Sequence, residues 1–433
     1  MKILSISFFL FAMAFPVCRA QSTTGSSQPA VKLGVEVLFE KHMDLIRGKR
    51  IGLITNPSGL DSHLDSIIQL FREQPDVKLV ALYGPEHGVR GDAQAGQSVS
   101  SYYDKDYQLP VFSLYGESKR KVGLHSKIDA VMRQYDTEDS GKTLTSGALK
   151  GVDVMICDMQ DVGTRVYTFE ATMAHAMQTC ANAHIPFIVL DRPNPIGGVA
   201  MEGPILEYPK YSSYIGLCTT PLRHGMTMGE LALFYQDHFL TNKVDLTVIP
   251  VENWHRDEWF DQTGLPWVMP SPNLPTLDSA IVYPGQVMLE GTELSEGRGT
   301  TRPFEIFGAP WIDGYVLAGK LNALHLPGVK FREIWFTPTF SKFQGKLCGG
   351  CQIHVTDRNV FQPIATTLNI LATIKQLYGK KLIFHPKYFD KVLGNDTVLQ
   401  GLESGEPVDK IIAAYQPGLD EFAKERGKYL LYH

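Results

Sequence analysis

The feature that most constrains this chain is a series of short, continuous apolar runs separated by amphipathic stretches. Runs of strand length occupy residues 50–55, 77–83, 111–114, 152–159 and 186–190. Between them lie stretches with apolar residues at three- and four-residue spacing, of which 64–71 and 169–183 are the clearest. A strand that is apolar on both sides of its pleat must be covered on both faces, and alternating helices supply that cover. The pattern predicts an α/β fold, with a mainly parallel sheet over residues 31–250. From Val251 onward prolines become frequent, as in Trp267-Val-Met-Pro-Ser-Pro-Asn-Leu-Pro275, and a Gly/Glu/Thr-rich segment runs from Glu290 to Thr301. Residues 251–433 are expected to form a smaller C-terminal α+β domain whose early loops close a cleft over the sheet edge, a usual place for a site.

The segments that succeed the apolar runs are denser in chemistry than ordinary turns require. The run at 50–55 leads into Asn56-Pro-Ser-Gly-Leu-Asp61, and that at 77–83 into Gly84-Pro-Glu-His-Gly-Val-Arg-Gly-Asp92. The run at 152–159 passes into Asp158-Met-Gln-Asp-Val-Gly-Thr-Arg165-Val-Tyr167, and that at 186–190 into Asp191-Arg-Pro-Asn-Pro-Ile-Gly-Gly198. Turn chemistry accounts for the Gly and Pro, but not for the concentration of Glu, Asp, Arg and His. Ligands of open α/β sheets bind outside the carboxyl ends of the strands, so this edge is the expected functional one.

Residues 1–20 combine Lys2, an apolar run ending at Val17 and a small-residue close at Ala20, the pattern of a removable export signal. The run is short for a membrane span, and Phe15-Pro-Val-Cys18 is a poor lipid-attachment site. An exported protein, periplasmic or secreted rather than lipid-anchored, is expected, with residues 21–30 as a polar, flexible lead-in. Loss of Lys2 and Arg19 moves the formal charge from −5 to −7. With no Lys/Arg run, neither nucleic acid nor stable association with an anionic membrane is expected. Of the remaining cysteines, Cys157 lies in an apolar run and reads as a core thiol. Cys348-Gly-Gly-Cys351 is open to three readings: a disulfide, a metal half-site or two thiols.

Several chemistries lack their signatures. No Gly-x-Gly-x-x-Gly follows the first strand, and there is no phosphate-cradling loop ending in Lys-Ser/Thr, no His-Glu-x-x-His and no Gly-x-Ser-x-Gly turn. His87, Asp92, Asp158, Asp161 and His224 are metal-ligand types, but no pair has a diagnostic spacing, and no metal or other cofactor is expected. Carboxylates remain. Hydrolysis of a glycosidic bond needs a protonated acid at the leaving oxygen and a second group that attacks or activates water. Glu86 is the best acid candidate, with His87 and Arg90 beside it to tune its charge. Asp158 or Asp161 is a candidate second carboxylate, each also a possible helix N-cap. Tyr167 is a candidate donor to developing charge. Arg165, Arg192 and Arg298 are candidates to hold a substrate carboxylate as a bidentate pair. His224 lies just before an expected helix near Met228, and Asn273 sits in a Pro-rich loop suited to presenting its amide.

Tyr83-Gly-Pro-Glu-His-Gly-Val-Arg-Gly-Asp92, Asp158-Met-Gln-Asp-Val-Gly-Thr-Arg-Val-Tyr-Thr168 and Asp191-Arg-Pro-Asn194-Pro195 resemble signatures of the NamZ-type exo-β-N-acetylmuramidases, long grouped only as a domain of unknown function. Glu202-Gly-Pro204, Arg223-His-Gly-Met-Thr227, Pro270-Ser-Pro-Asn273 and Glu296-Gly-Arg-Gly-Thr300 resemble further ones. The resemblance implies a Rossmann-like first domain, a smaller second domain and an active cleft between them. It also implies release of N-acetylmuramic acid from the non-reducing end of peptidoglycan fragments, without a cofactor and with Glu86 as the catalytic glutamate. Asn194, in the third motif, is an expected substrate contact. A lactyl carboxylate on that sugar would give cleft arginines a purpose. A muropeptide-binding protein without activity and a metal-dependent cell-wall hydrolase stand as alternatives; the oligomeric state is open.

Overall fold

The computed structural model describes residues 30–115 and 144–433. The expected export signal, and all of the lead-in but Ala30, lie outside the described residues.

The strands are β1 (Arg50–Thr55), β2 (Lys78–Gly84), β3 (Tyr102–Asp104), β4 (Leu109–Ser113), β5 (Val154–Asp158), β6 (Phe187–Leu190), β7 (Glu202–Ile205), β8 (Pro221–Arg223) and β9 (Leu246–Ile249). Seven of them form one sheet in the order β3-β4-β2-β1-β5-β6-β9. Every pairing in it is parallel except that of β3 with β4. All five expected strands are present, and the chain builds outward first to one side of β1 and then to the other. This makes the gap between β1 and β5 a topological switch point.

Alternation along the strands feeds two cores. Ile51, Leu53, Val154, Ile156, Ile188 and Leu190 pack with α1 (Gly34–Lys41) and α2 (Ile67–Glu73) on one face. Ile54, Met155, Cys157, Phe187 and Val189 pack with α3 (Phe169–Ala183) and α4 (Met228–His238) on the other. The expected start of α4 has a local cause: the Thr227 hydroxyl accepts the Glu230 N–H, and the Glu230 carboxylate accepts the Thr227 N–H, a closed capping box.

The later part of the chain builds a second, smaller α+β unit. Its antiparallel sheet runs β10 (Ile306–Ala309), β12 (Cys348–Val355), β11 (Val329–Phe336). Around it lie α5 (Leu277–Gln286), α6 (Gly314–Asn322), α7 (Pro363–Tyr378), α8 (Pro386–Leu393), α9 (Thr397–Ser404) and α10 (Val408–Arg426). One apolar core holds Tyr167 and Met226 from the first unit together with Tyr283, Phe304 and Phe389 from the second, so the units share their interior. Cys348 and Cys351 are free, buried thiols. Three residues apart on one strand, they point to opposite faces and join different apolar clusters, which excludes a disulfide between them. Among the described residues no helix is long and apolar enough to cross a membrane.

Candidate active site

A cavity of about 610 Å³ opens between the loops beyond the sheet edge and the second unit, within the range of small-molecule sites. Glu86, His87, Tyr167, Thr168 and Tyr115 line it from the first unit; Tyr283, Glu290, Glu296, Arg298, Lys342 and Tyr388 line it from the second.

Glu86 stands on the loop that leaves β2. The loop doubles back at once: a Cβ on Gly84 would lie 2.8 Å from the Val89 nitrogen, so the residue there must be glycine. His87 follows at a φ of 72°, a left-handed conformation that a bulky residue holds only at some strain. Glu86 is 7% exposed. Its Oε1 accepts the Gly96 N–H at 2.8 Å and its Oε2 accepts the Thr168 hydroxyl at 2.7 Å. Tyr115 lines the cavity close enough to this carboxyl group to feel its charge. Burial and the neighbouring Glu86 push the Tyr115 phenol up, which keeps it a donor.

His87 Nδ1 lies 2.7 Å from the Ala93 carbonyl oxygen. A carbonyl only accepts, so Nδ1 carries the proton and Nε2 keeps its lone pair. Burial, with Arg298 adding to it, lowers this imidazole against the opposite pull of Glu86, which leaves the ring neutral at neutral pH. Tyr167 is buried, and burial first, then Asp161 and Glu86, pushes its phenol well up. It therefore offers an O–H rather than a phenolate. Its ring continues into an aromatic wall, 4.6 Å from Phe169 and 6.1 Å from Tyr283, which in turn lies 4.8 Å from Phe304. Such a wall suits the apolar face of a sugar.

The second unit contributes a charged cluster. Arg298 donates through Nη2 to Glu290 at 2.7 Å and pairs through Nε with Glu296 at 3.4 Å. Its Cζ sits 5.0 Å from the Phe304 ring centre. Burial opposes its charge, but Glu290 and Glu296 outweigh burial and raise the guanidinium above its ordinary value. Lys342 bonds to Glu296 at 3.0 Å and to the Leu289 and Leu294 carbonyls at 2.7 and 3.0 Å.

Of the residues expected from sequence, the structure brings Glu86, His87, Tyr167, Asn273 and Arg298 to the cavity. Asn273 Nδ2 donates to Gln94 at 3.3 Å on its rim. The others are not among its lining residues. Asp158 and Arg192 form a buried two-bond ion pair with each other, and Arg192 also donates to the Leu60 carbonyl at 2.6 Å. Burial pushes the Asp158 carboxyl up against the pull of Arg192. Arg165 is buried among backbone carbonyls, reaching Pro204 at 3.2 Å, Val392 at 2.8 Å and also Thr220. Asp161 accepts the Gly163 N–H at 2.7 Å and faces His224 Nε2 at 3.5 Å behind the cavity wall. His224 Nδ1 accepts the Met226 N–H at 3.1 Å. Asn194 fastens its own loop to the Met226 carbonyl at 2.9 Å. Arg90 is half exposed and pairs with Asp104 and Asp106. Among the described residues no three His, Cys, Asp or Glu side chains converge as a metal site.

Sequence reasoning did not single out Thr168, Tyr115, Glu290, Glu296, Lys342 or Tyr388 as site residues. Thr168, Glu290 and Glu296 lay within segments already conspicuous for composition or motif. Tyr115, Lys342 and Tyr388 carried no local signal.

The comparisons agree with this architecture. The profile described as exo-beta-N-acetylmuramidase NamZ, N-terminal, matches residues 51–278, and the corresponding C-terminal profile matches residues 281–432. The chain is 46% identical to the peptidoglycan beta-N-acetylmuramidase NamZ of Bacillus subtilis (strain 168), over 98% of this chain and 99% of that protein. A DUF1343 family protein from Bacteroides fragilis NCTC 9343, solved at 1.65 Å, is 36% identical with a TM-score of 0.82, over 93% of this chain and 99% of that one. A second protein of that family and organism, solved at 1.30 Å, is 28% identical with a TM-score of 0.71, over 94% of this chain and 99% of that one. With both profiles matched in order across nearly all of the described residues, the chain belongs to the NamZ family of exo-β-N-acetylmuramidases.

Proposed function

We propose that this protein is an exo-acting glycoside hydrolase that releases terminal N-acetylmuramic acid from the non-reducing end of peptidoglycan fragments, with Glu86 as the acid. The observation that carries the reading is the setting of Glu86. It is a buried carboxyl group, oriented by the Gly96 N–H and the Thr168 hydroxyl, in a cavity walled by both units.

In this reading the sugar lies against Tyr167, Tyr283 and Phe304. Glu86 protonates the glycosidic oxygen as the C1–O bond breaks. Tyr167, an O–H donor beside Glu86, bonds to a sugar oxygen. The lactyl carboxylate meets Arg298, whose Nη1 has no protein partner among the described residues. Residues 251–433 supply the closing wall that an exo enzyme needs to recognise a chain end. The first twenty residues support export, which would bring the enzyme to its polymer.

Purified protein incubated in EDTA with a disaccharide bearing terminal β-N-acetylmuramic acid should release the muramic sugar. Release should be much slower from the N-acetylglucosamine analogue, and lost in Glu86→Gln. Tight binding without release, equal in both proteins, would point instead to a muropeptide-binding protein. Release abolished by EDTA would point to metal-dependent chemistry.

A further inference from the structure

Glycoside hydrolysis by carboxyl groups needs a partner for the acid, facing the anomeric carbon from the other side of the sugar. Among the described residues three carboxyl groups line the cavity: Glu86, Glu290 and Glu296. Asp158 is closed off by Arg192, and Asp161 is turned toward Gly163 and His224. Glu296 is sealed in as well. It is 3% exposed, with one oxygen 3.4 Å from Arg298 Nε and the other 3.0 Å from Lys342 Nζ.

Glu290 differs from all of these. Its side chain is 18% exposed. Each oxygen accepts one bond, from Arg298 Nη2 at 2.7 Å and from the Tyr388 hydroxyl at 2.9 Å. One lone pair on each oxygen remains for a further donor. The neighbours that orient it are themselves anchored. Arg298 is held by Glu296 and the Phe304 ring. Tyr388 lies on α8, and a Cβ on Gly291, next to Glu290, would come within 2.7 Å of the Phe389 Cα. The turn bearing Glu290 and the helix bearing Tyr388 are thereby locked together, as a preorganised site requires.

We propose that Glu290 is the second catalytic carboxylate, with Arg298 and Tyr388 as its positioning residues; this rests on the glycosidase reading of Glu86. As the glycosidic C1–O bond breaks, its electron pair stays on the leaving oxygen, which takes the Glu86 proton. A water molecule held by Glu290 attacks C1 from the opposite face. Its oxygen forms the new bond to C1 and one of its protons passes to the Glu290 carboxylate. The products are the free sugar with inverted configuration and a glycan shortened by one residue. Glu290 then gives its proton to solvent, and Glu86 regains one.

The test uses the full chain, a nitrophenyl β-N-acetylmuraminide and the natural disaccharide, with and without sodium azide. Glu290→Gln and Glu290→Ala should each lose about 10³-fold in kcat, with KM within about threefold of the parent. Azide should restore turnover to Glu290→Ala by about tenfold or more and yield the α-configured glycosyl azide, because the small anion enters on the face the carboxylate has vacated. The parent enzyme should release the α-anomer first, as followed by NMR. Loss of less than about tenfold in Glu290→Gln, a β-configured azide, no azide effect on a folded Glu290→Ala, or first release of the β-anomer would each overturn the proposal. Should Glu290→Ala fail to fold, the near-isosteric Glu290→Gln and the anomer assay decide it. Glu86→Gln separates the two claims. It should lose turnover on the disaccharide and keep much of it on the nitrophenyl glycoside, whose leaving group needs no proton. Full turnover on the disaccharide would remove the reading of Glu86 itself.

Discussion

Two regions of this molecule are built from the same residue types and differ in what their charges face. Under the sheet edge, Asp158 with Arg192, Asp161 with His224, and Arg165 among carbonyls are turned inward on one another. In the cavity, Glu86, Glu290 and Arg298 are equally well held but retain bonding capacity toward an open space. Motif density marks the edge of the sheet, and only the tertiary placement separates the charges that hold the edge together from those that face the cavity.

The sharpest way to break this comparison is to remove one carboxylate from each region. Glu86→Gln should lower kcat/KM on the disaccharide by about 10³-fold, equivalent to about 4 kcal/mol of barrier, while its urea unfolding midpoint stays near that of the parent. Asp158→Asn should do the reverse. Leaving Arg192 buried and unpaired costs about 3–5 kcal/mol of folding stability, while the fraction still folded turns over within a few-fold of the parent. A stable Asp158→Asn enzyme without activity would move Asp158 into the site.

The two arginines test the same contrast with smaller effects. Arg298→Lys keeps a charge but loses the fork that spans Glu290 and Glu296. KM for the muramic substrate should rise about 10- to 100-fold, the equivalent of about 1.5–3 kcal/mol for bonds to charged groups. Arg165→Lys should instead destabilise the fold, read as a shifted urea midpoint, because carbonyls in a dry interior lose their donor. Equal effects of both on KM would erase the distinction.

Legibility in the sequence tracks the range of the interactions. β1 and α3 were legible because each carries its own pattern, a continuous apolar run in one and a three-to-four spacing in the other. β9 was not marked out, since at the sheet edge only Ile249 of its four residues is fully buried. Glu86 was legible from the glycines and proline that build its loop. Glu290 lay in a segment conspicuous only for composition, and Lys342 and Tyr388 in none. They reach the cavity because the loop between β11 and β12, helix α8 and the turn before Gly291 converge there, a meeting no local pattern encodes. The arginines show the converse: the residue type was right for a carboxylate clamp, but backbone carbonyls hold Arg165 and Asp158 holds Arg192, two of the three expected to form it.

A pH series sharpens the comparison at a third place. Glu202 accepts the Ala365 N–H at 2.8 Å where the first unit meets the start of α7. Burial pushes its carboxyl from 4.5 up to about 7, against the pull of Ala365, Arg223 and Ile364. Between those values the folded chain holds a proton that the unfolded chain has lost, so its contribution to stability is full below the lower value and is lost as pH rises to the upper one. Asp191, pushed by burial from 3.8 to about 6, acts in the same direction over a lower window. Urea midpoints should therefore fall between pH 5 and 7.5, and Glu202→Gln should flatten that slope without changing KM. An unchanged slope in the variant would show that the acid does not titrate across this window.

The smallest effect is expected at Arg90, and it bears on the comparison for that reason. Arg90 stands four residues from Glu86 in the same motif, and a local reading places it with the site. Its side chain is 54% exposed and bonds to Asp104 at 2.8 Å and Asp106 at 2.9 Å, while the cavity is lined by other residues. Solvent screens the guanidinium, and the buried Asp104 carboxylate keeps the Asp106 and Tyr107 N–H donors when Arg90 is removed, so the loss removes little. Arg90→Ala should leave kcat and KM within about twofold of the parent and the urea midpoint within error. A tenfold rise in KM would mean that the loop carrying Glu86 is held in place from its solvent side. The line between charges that support and charges that react would then run through the motif itself, not between the two regions.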